Sequence, residues 1–197
     1  SGGGAAFVNA KSIDFDGSDT YLSGSATFDA LDGLNKASFS MWIKPLTGGS
    51  TLRMVFQIGR GSTALNSQCQ LFLYEGNRID FSVNAGGQFG RGDISSITYD
   101  SWNHLVIAVD LTHSMGSVSS FTSATDELYI GESKTGHYNP FNGNIDEFAI
   151  WPGTTLTLSE AQSIYNSGAP TDLASFSPAP SHWWRMGDGD TFSTISD

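Results

Sequence analysis

The sequence predicts an all-β protein, a two-sheet antiparallel jelly-roll sandwich with one short helix near the C-terminus. Three observations carry this. Apolar and polar residues alternate in roughly eight short runs, the period of half-buried strands. Glycine is frequent, at 23 of 197 residues, and Ser, Asn and Asp fill the gaps between runs as turn formers. A helical period appears in one place only, so the strand–helix alternation of a parallel sheet is missing.

The elements follow in order. In "KSIDFDGSDTYLSG", Ile13 and Phe15 oppose Asp14 and Asp16, and Asp16-Gly17 supplies a turn. "ASFSMWIKP" sets Phe39, Met41 and Ile43 on one face and Ser40, Trp42 and Lys44 on the other, with Pro45 as the stop. "MVFQIG" is a third strand. "CQLFLYEGNRIDFSVN" reads as a hairpin turning over Glu75, Gly76 and Asn77. "SWNHLVIAVDL" enters a buried strand through Trp102, and "ELYIGE" and "NIDEFAIW" complete the set. The helix is "TLSEAQSIYNSGAP": Ser159 is placed to cap it, Ala161, Ile164 and Tyr165 share a face, and Gly168 with Pro170 closes it. Residues 1–11, opening on "SGGG", read as a linker without the charged and apolar regions of a secretion signal. Residues 12–197 read as a single domain. The tail 181–197 either completes the same sandwich or begins another module, and its abrupt close suggests a chain that continues.

Composition bounds the chemistry. A net charge of −11 repels nucleic acid and anionic membranes. No run of 18 apolar residues is present, so no helix is expected to span a membrane. Cys69 is the single cysteine, which excludes an internal disulfide and a cysteine metal site; its ordinary role is that of a small buried apolar residue.

Six motifs in order resemble one family: "SIDFDGSDTYL", "ASFSMWIKP", "SWNHLVIAVD", "LYIGE", "FNGNIDEFAIW" and "LSEAQSIYNSG". Together they cover most of Ser12 to Gly168 and are similar to the laminin-G-like, concanavalin A-like lectin jelly rolls. Two departures stand out. Leu111 to Ala124 lacks the Asn-Gly hairpin usual in that place, through a reduced hairpin or a missing piece. The tail "SHWWRMGDGDTFSTISD" resembles the tryptophan strand that often opens such domains, yet here it follows the helix.

Glycoside hydrolases of this fold carry an Asp between two Glu at alternate positions of one strand. No Glu of this chain sits in that pattern. Asp146 and Glu147 are adjacent, so plain alternation sends them to opposite faces, with Ile145 and Ala149 beside Glu147 and with Phe148 and Ile150 beside Asp146. They are expected to serve structure. His104, His113, His137 and His182 are scattered, and His104 reads as a packed or hydrogen-bonded histidine. "GRGD", Gly90 to Asp93, reads as a polar turn. Trp183 and Trp184 are consecutive, so one is expected to fill the core and the other to face solvent, helix or a neighbouring chain. Phe89, Tyr99 and Tyr138 are suited to stacking on sugar rings, and no spacing selects among them.

For a metal, the resemblance implies a structural calcium ion between Asp16 and Asp146, because first and last strands commonly pair in this family. The alternative is that Asp16 caps its own turn and Asp146 bonds nearby amides. For function, the resemblance implies a non-catalytic virion-associated module on a phage fibre, tail or capsid surface, similar to modules of marine phage structural proteins. Its partners would be a glycan or cell-surface polysaccharide, other virion proteins and further copies of the chain, at a virion surface or outside a cell. The competing expectations are a sugar-binding module of a secreted bacterial enzyme or adhesin, then a polysaccharide lyase or glycoside hydrolase. No ligand-binding residues are singled out.

Overall fold

The computed structural model describes residues 7–24, 28–48, 52–59, 67–74, 78–85, 88–94, 96–113, 118–121, 127–133 and 138–188. The first sheet contains β1 (Ile13–Asp16), β3 (Lys36–Pro45), β8 (Asn103–Asp110), β11 (Asn142–Pro152) and β12 (His182–Trp184). Its order is β1-β11-β3-β8, and β12 also pairs with β11. The second sheet contains β2 (Leu22–Ser23), β4 (Leu52–Gly59), β5 (Ser67–Tyr74), β6 (Arg78–Ala85), β7 (Gln88–Ile94) and β9 (Glu127–Ile130), ordered β2-β9-β4-β5-β6-β7. A short β10 (Asn139–Pro140) lies parallel to β4. All other pairings are antiparallel, giving the predicted jelly-roll sandwich.

Period-2 alternation builds the core. Phe39, Met41 and Ile43 of β3 and Ile145, Phe148 and Ile150 of β11 meet Phe56, Ile58, Leu71 and Phe81 of the second sheet. Phe56 anchors the layer, its ring 5.1 Å from that of Phe148 and 5.3 Å from that of Phe39. Cys69 is buried among them.

A smaller cluster covers the other face of the first sheet, where Ala149 and Trp151 meet Leu156, Ile164 and Leu173. Ile164 belongs to α1 (Leu158–Tyr165), eight residues long and too short to hold alone in water. Docking Ile164 contributes roughly 2–3 kcal/mol. The cap differs from expectation: Thr157, not Ser159, caps the helix and forms a capping box with Glu160, which takes Ser159 into the first turn.

The "GRGD" stretch is also not a turn. It lies within β7, with Gly90 paired to Val83 and Asp93 to Asp80. The hairpin turn at 75–77 lies outside the described residues, as do His137, parts of 111–124 and the end of the tail. The described part of the tail adds β12 beside β11. There Trp184 stacks on Phe148, rings 5.5 Å apart, while Trp183 packs against the outer cluster, so the two tryptophans face opposite ways as expected.

Candidate functional site

Two buried polar regions stand out, one on each sheet. The first is at Asp146 and Glu147. One edge of β11 pairs with β3. The other edge is shared: β1 reaches Ile145, and β12 begins at Phe148. The two carboxylates fall in the interval between the terminal strands. At the same point β11 bulges. Its register against β3 shifts between Asp146 and Ala149, so Glu147 and Phe148 together oppose Met41. Glu147 takes a left-handed φ of 51°.

This corrects the alternation read from the sequence. The extra residue resets the faces: Ile145, Phe148 and Ile150 join the main core, and Ala149 and Trp151 join the outer cluster. Asp146 and Glu147 therefore converge on a single donor. Asn9 Nδ2 donates to Asp146 Oδ2 at 3.1 Å and to Glu147 Oε1 at 2.6 Å.

Every oxygen of the pair accepts. Asp146 Oδ1 accepts the Glu147 amide at 2.9 Å, and Glu147 Oε2 accepts Trp183 Nε1. Arg185 Nε lies 3.6 Å from Glu147 Oε1. Close by, Asp188 Oδ2 accepts the amides of Ala10 and Lys11 at 2.7 and 3.1 Å. The corner thus ties the N-terminal segment 7–12 to residues 183–188. Burial pushes the Asp146 carboxyl up to about 7, the Asn9 bond opposes this, and the charge of Glu147 adds to it. Burial also raises Glu147.

Asp16 is elsewhere. Its Oδ1 accepts the amides of Ser18, Asp19 and Thr20 at 2.8, 3.2 and 3.3 Å, which lowers its carboxyl. β1 and β11 do pair, but the register sets Asp16 against Asn142. Asp146 lies four positions further along, on the order of 13 Å away. A calcium ion shared by Asp16 and Asp146 therefore has no place in this register. Among the described residues no group of three or more His, Cys, Asp or Glu side chains could hold a metal ion.

Beside Asp146 the outer face continues through Trp42 and His104 at matching ladder positions. His104 Nε2 lies 2.9 Å from Ser40 Oγ, so the histidine is hydrogen-bonded as expected, and burial holds it down to about 4. Trp42, His104 and Tyr165 stack. A cleft of about 350 Å³ opens beside Asp146 and Trp42, walled by the N-terminal segment, Trp102 and Pro170.

The second region lies on the face of the second sheet turned away from the core. Ser23, Tyr129, Gln57, Gln70 and Ser82 occupy consecutive ladder positions across β2, β9, β4, β5 and β6. The next row sets Phe72 against Asp80, with the Tyr138 ring 4.6 Å from that of Phe72. Gln57, Gln70, Asp80 and Ser82 are all buried. Arg78 Nη2 donates to Asp80 Oδ2 at 3.2 Å. Among the described residues, neither amide atom of Gln70 nor Ser82 Oγ has a hydrogen-bond partner within the protein. Buried polar atoms normally find one, so this row holds donors and acceptors left unused among the described residues.

A family model for the concanavalin A-like lectin/glucanases superfamily matches residues 16–162. The chain belongs to that superfamily. No curated protein matches it. Among solved structures it is similar to a pentraxin of Limulus polyphemus, at 16% identity and TM-score 0.55 over 78% of this chain and 80% of that one. It is similar to the carbohydrate-binding module of a Ruminococcus gnavus sialidase, at 10% identity and TM-score 0.55 over 79% and 96%. It is also similar to the enzymatically active domain of tailspike protein 2 from bacteriophage CBA120, at 11% identity and TM-score 0.57 over 96% and 35%. The chain spans about a third of that tailspike chain.

Within this superfamily fold, sequence reasoning found the Asp146 corner and missed the polar row. Gln57, Gln70 and Ser82 sit 13 and 12 residues apart, and only the strand register aligns them. The available signal was the period itself: Gln57 and Gln70 are polar members of otherwise apolar runs, and Ser82 lies on the polar face of an alternating one. Of the three loop aromatics, Tyr138 reaches the row through Phe72. Tyr99 instead donates its hydroxyl to the Tyr74 carbonyl at 3.2 Å. The Phe89 side chain lies outside what the structure describes.

Proposed function

We propose that the chain is a non-catalytic glycan-binding module that reads sugar hydroxyls with the polar row of its second sheet. The observation that carries this is Gln70 with Ser82: buried, adjacent across two strands, and without hydrogen-bond partners among the described residues. A primary amide offers two donors and an acceptor, and a hydroxyl offers both roles. That set matches the hydroxyls of a neutral sugar. The resemblance to a carbohydrate-binding module solved with α2,3-sialyllactose supports the ligand class.

The module is borne at a virion surface, as on a phage tail or fibre. Support comes from coverage: the tailspike domain aligns with 96% of this chain, against 78% and 79% for the pentraxin and the sialidase module. The tailspike domain is enzymatically active, whereas here the carboxylates of the bulge are taken up by Asn9, Trp183 and Arg185, which favours binding without hydrolysis.

A glycan array that includes bacterial surface polysaccharides tests the reading, followed by calorimetry on the strongest binder. Gln70→Met and Ser82→Ala are expected to weaken that binder about tenfold or more. A blank array, or binding indifferent to both substitutions, sinks the proposal.

A further inference from the structure

The cleft beside Asp146 lies on the opposite sheet from the polar row and has a different construction. Its lining includes Asn9, Ser12, Trp42, Trp102, Asp146 and Pro170, and its volume of about 350 Å³ is at the small end for ligand sites. Trp102 is 43% exposed, although a large aromatic normally buries its ring.

The turn that carries Trp102 is tightly bonded. Asn103 Oδ1 accepts the Thr98 amide at 2.9 Å, and its Nδ2 donates to the carbonyls of Thr98 and Ser101, both at 2.8 Å. Asp100 is in the left-handed region at φ 58°; its amide donates to the Pro45 carbonyl at 2.8 Å, and its Oδ1 accepts the Thr47 amide at 3.1 Å. An exposed indole fixed on such a turn is a preorganised stacking surface, so little ordering entropy is lost when something packs against it. The floor is polar: Asn9, Lys11 and Ser12 line it beside the buried Asp146, whose oxygens are already bonded. A flat apolar wall in one cleft with amide, ammonium and hydroxyl groups fits a molecule with one C–H face and hydroxyls around its rim.

We propose that this cleft is a second glycan site taking one neutral pyranose ring, stacked on Trp102 with its hydroxyls towards Asn9 and Ser12. The module is then bivalent, with sites on opposite sheets, and avidity on a polysaccharide exceeds what either site gives alone. The sugar class rests on the glycan reading above; the site itself rests on the geometry of Trp102.

The test uses the full 197-residue chain, labelled with ¹⁵N and titrated with methyl pyranosides of glucose, galactose, mannose and N-acetylglucosamine. The Trp102 indole N–H signal is expected to shift saturably with at least one of them. Trp102→Ala should weaken that pyranoside about tenfold at an unchanged melting midpoint, Trp102→Phe should restore part of the affinity, and Gln70→Met should leave it intact. A Trp102 signal that no pyranoside moves overturns the proposal. Shifts confined to β4, β5 and β6 overturn the second site and leave the polar row standing. Shifts at Trp102 with none in the row uphold this cleft and sink the row.

Discussion

The carboxylate corner on β11 and the polar row on the second sheet are alike in burial and unlike in bonding. Asp146 and Glu147 are each 4% exposed, Gln70 1% and Ser82 2%. At the corner four carboxylate oxygens accept from Asn9, Trp183 and the backbone, with Arg185 alongside. In the row an amide and a hydroxyl stand without partners among the described residues. A polar cluster whose carboxylate oxygens all accept has been built to hold the fold, and removing one member strands the others. A cluster with free donors and acceptors gives the fold nothing that an apolar group of equal shape would not give. Burial alone does not separate structural from functional polar residues; the bonding inventory does.

The largest test of this contrast is Glu147→Ala. It removes one acceptor each from Trp183 Nε1 and Asn9 and takes away the ion-pair partner of Arg185. A loss of about 3 kcal/mol is expected, or roughly 6–12 °C in the calorimetric midpoint. A fall of less than about 2 °C would place Glu147 with ordinary surface residues and dissolve the comparison.

A smaller effect appears with pH. The Asp146 carboxyl is held up to about 7 against 3.8 unfolded, so the folded state binds its proton more readily. Its contribution is full below about pH 3.8 and fades as pH rises to about 7. His104 runs the other way, held down to about 4 against 6.5. Its contribution is full above about pH 6.5 and fades as pH falls to about 4. Between pH 4.5 and 6.5 the two slopes oppose, and the wild-type midpoint should change little. Asp146→Asn removes one of them, so its midpoint should fall by several degrees on going from pH 6.5 to 4.5. Parallel wild-type and variant profiles would show that Asp146 does not titrate in this range.

The sequence made the sheets legible because period-2 patterns are local. "ASFSMWIKP" is one strand, and its apolar members are those that reach the core. What escaped was set by non-local register. A single extra residue at Glu147 turned two divergent carboxylates into a convergent pair, and no composition marks a bulge whose first residue is a glutamate rather than a glycine. Asp16 and Asp146 were placed near each other because their strands pair, and the register then separated them by four positions. The polar row was invisible for the same reason: its members lie on five strands, joined only by pairing.

The smallest expected effect on stability is the most informative one. Gln70→Met keeps the length and volume of the side chain and removes an amide with no hydrogen-bond partner among the described residues. If the row exists for a ligand, the folded chain loses no internal bond. The cost of burying that amide also disappears, so stability should stay within about 0.5 kcal/mol or rise. Glycan affinity should fall in the same variant. If Gln70→Met instead destabilises the domain as Glu147→Ala does, the amide is bonded within the folded chain, and the row is a second structural corner. A variant that melts unchanged and binds less is the one outcome that keeps the two clusters apart, since it divides in one residue what the fold needs from what the module does.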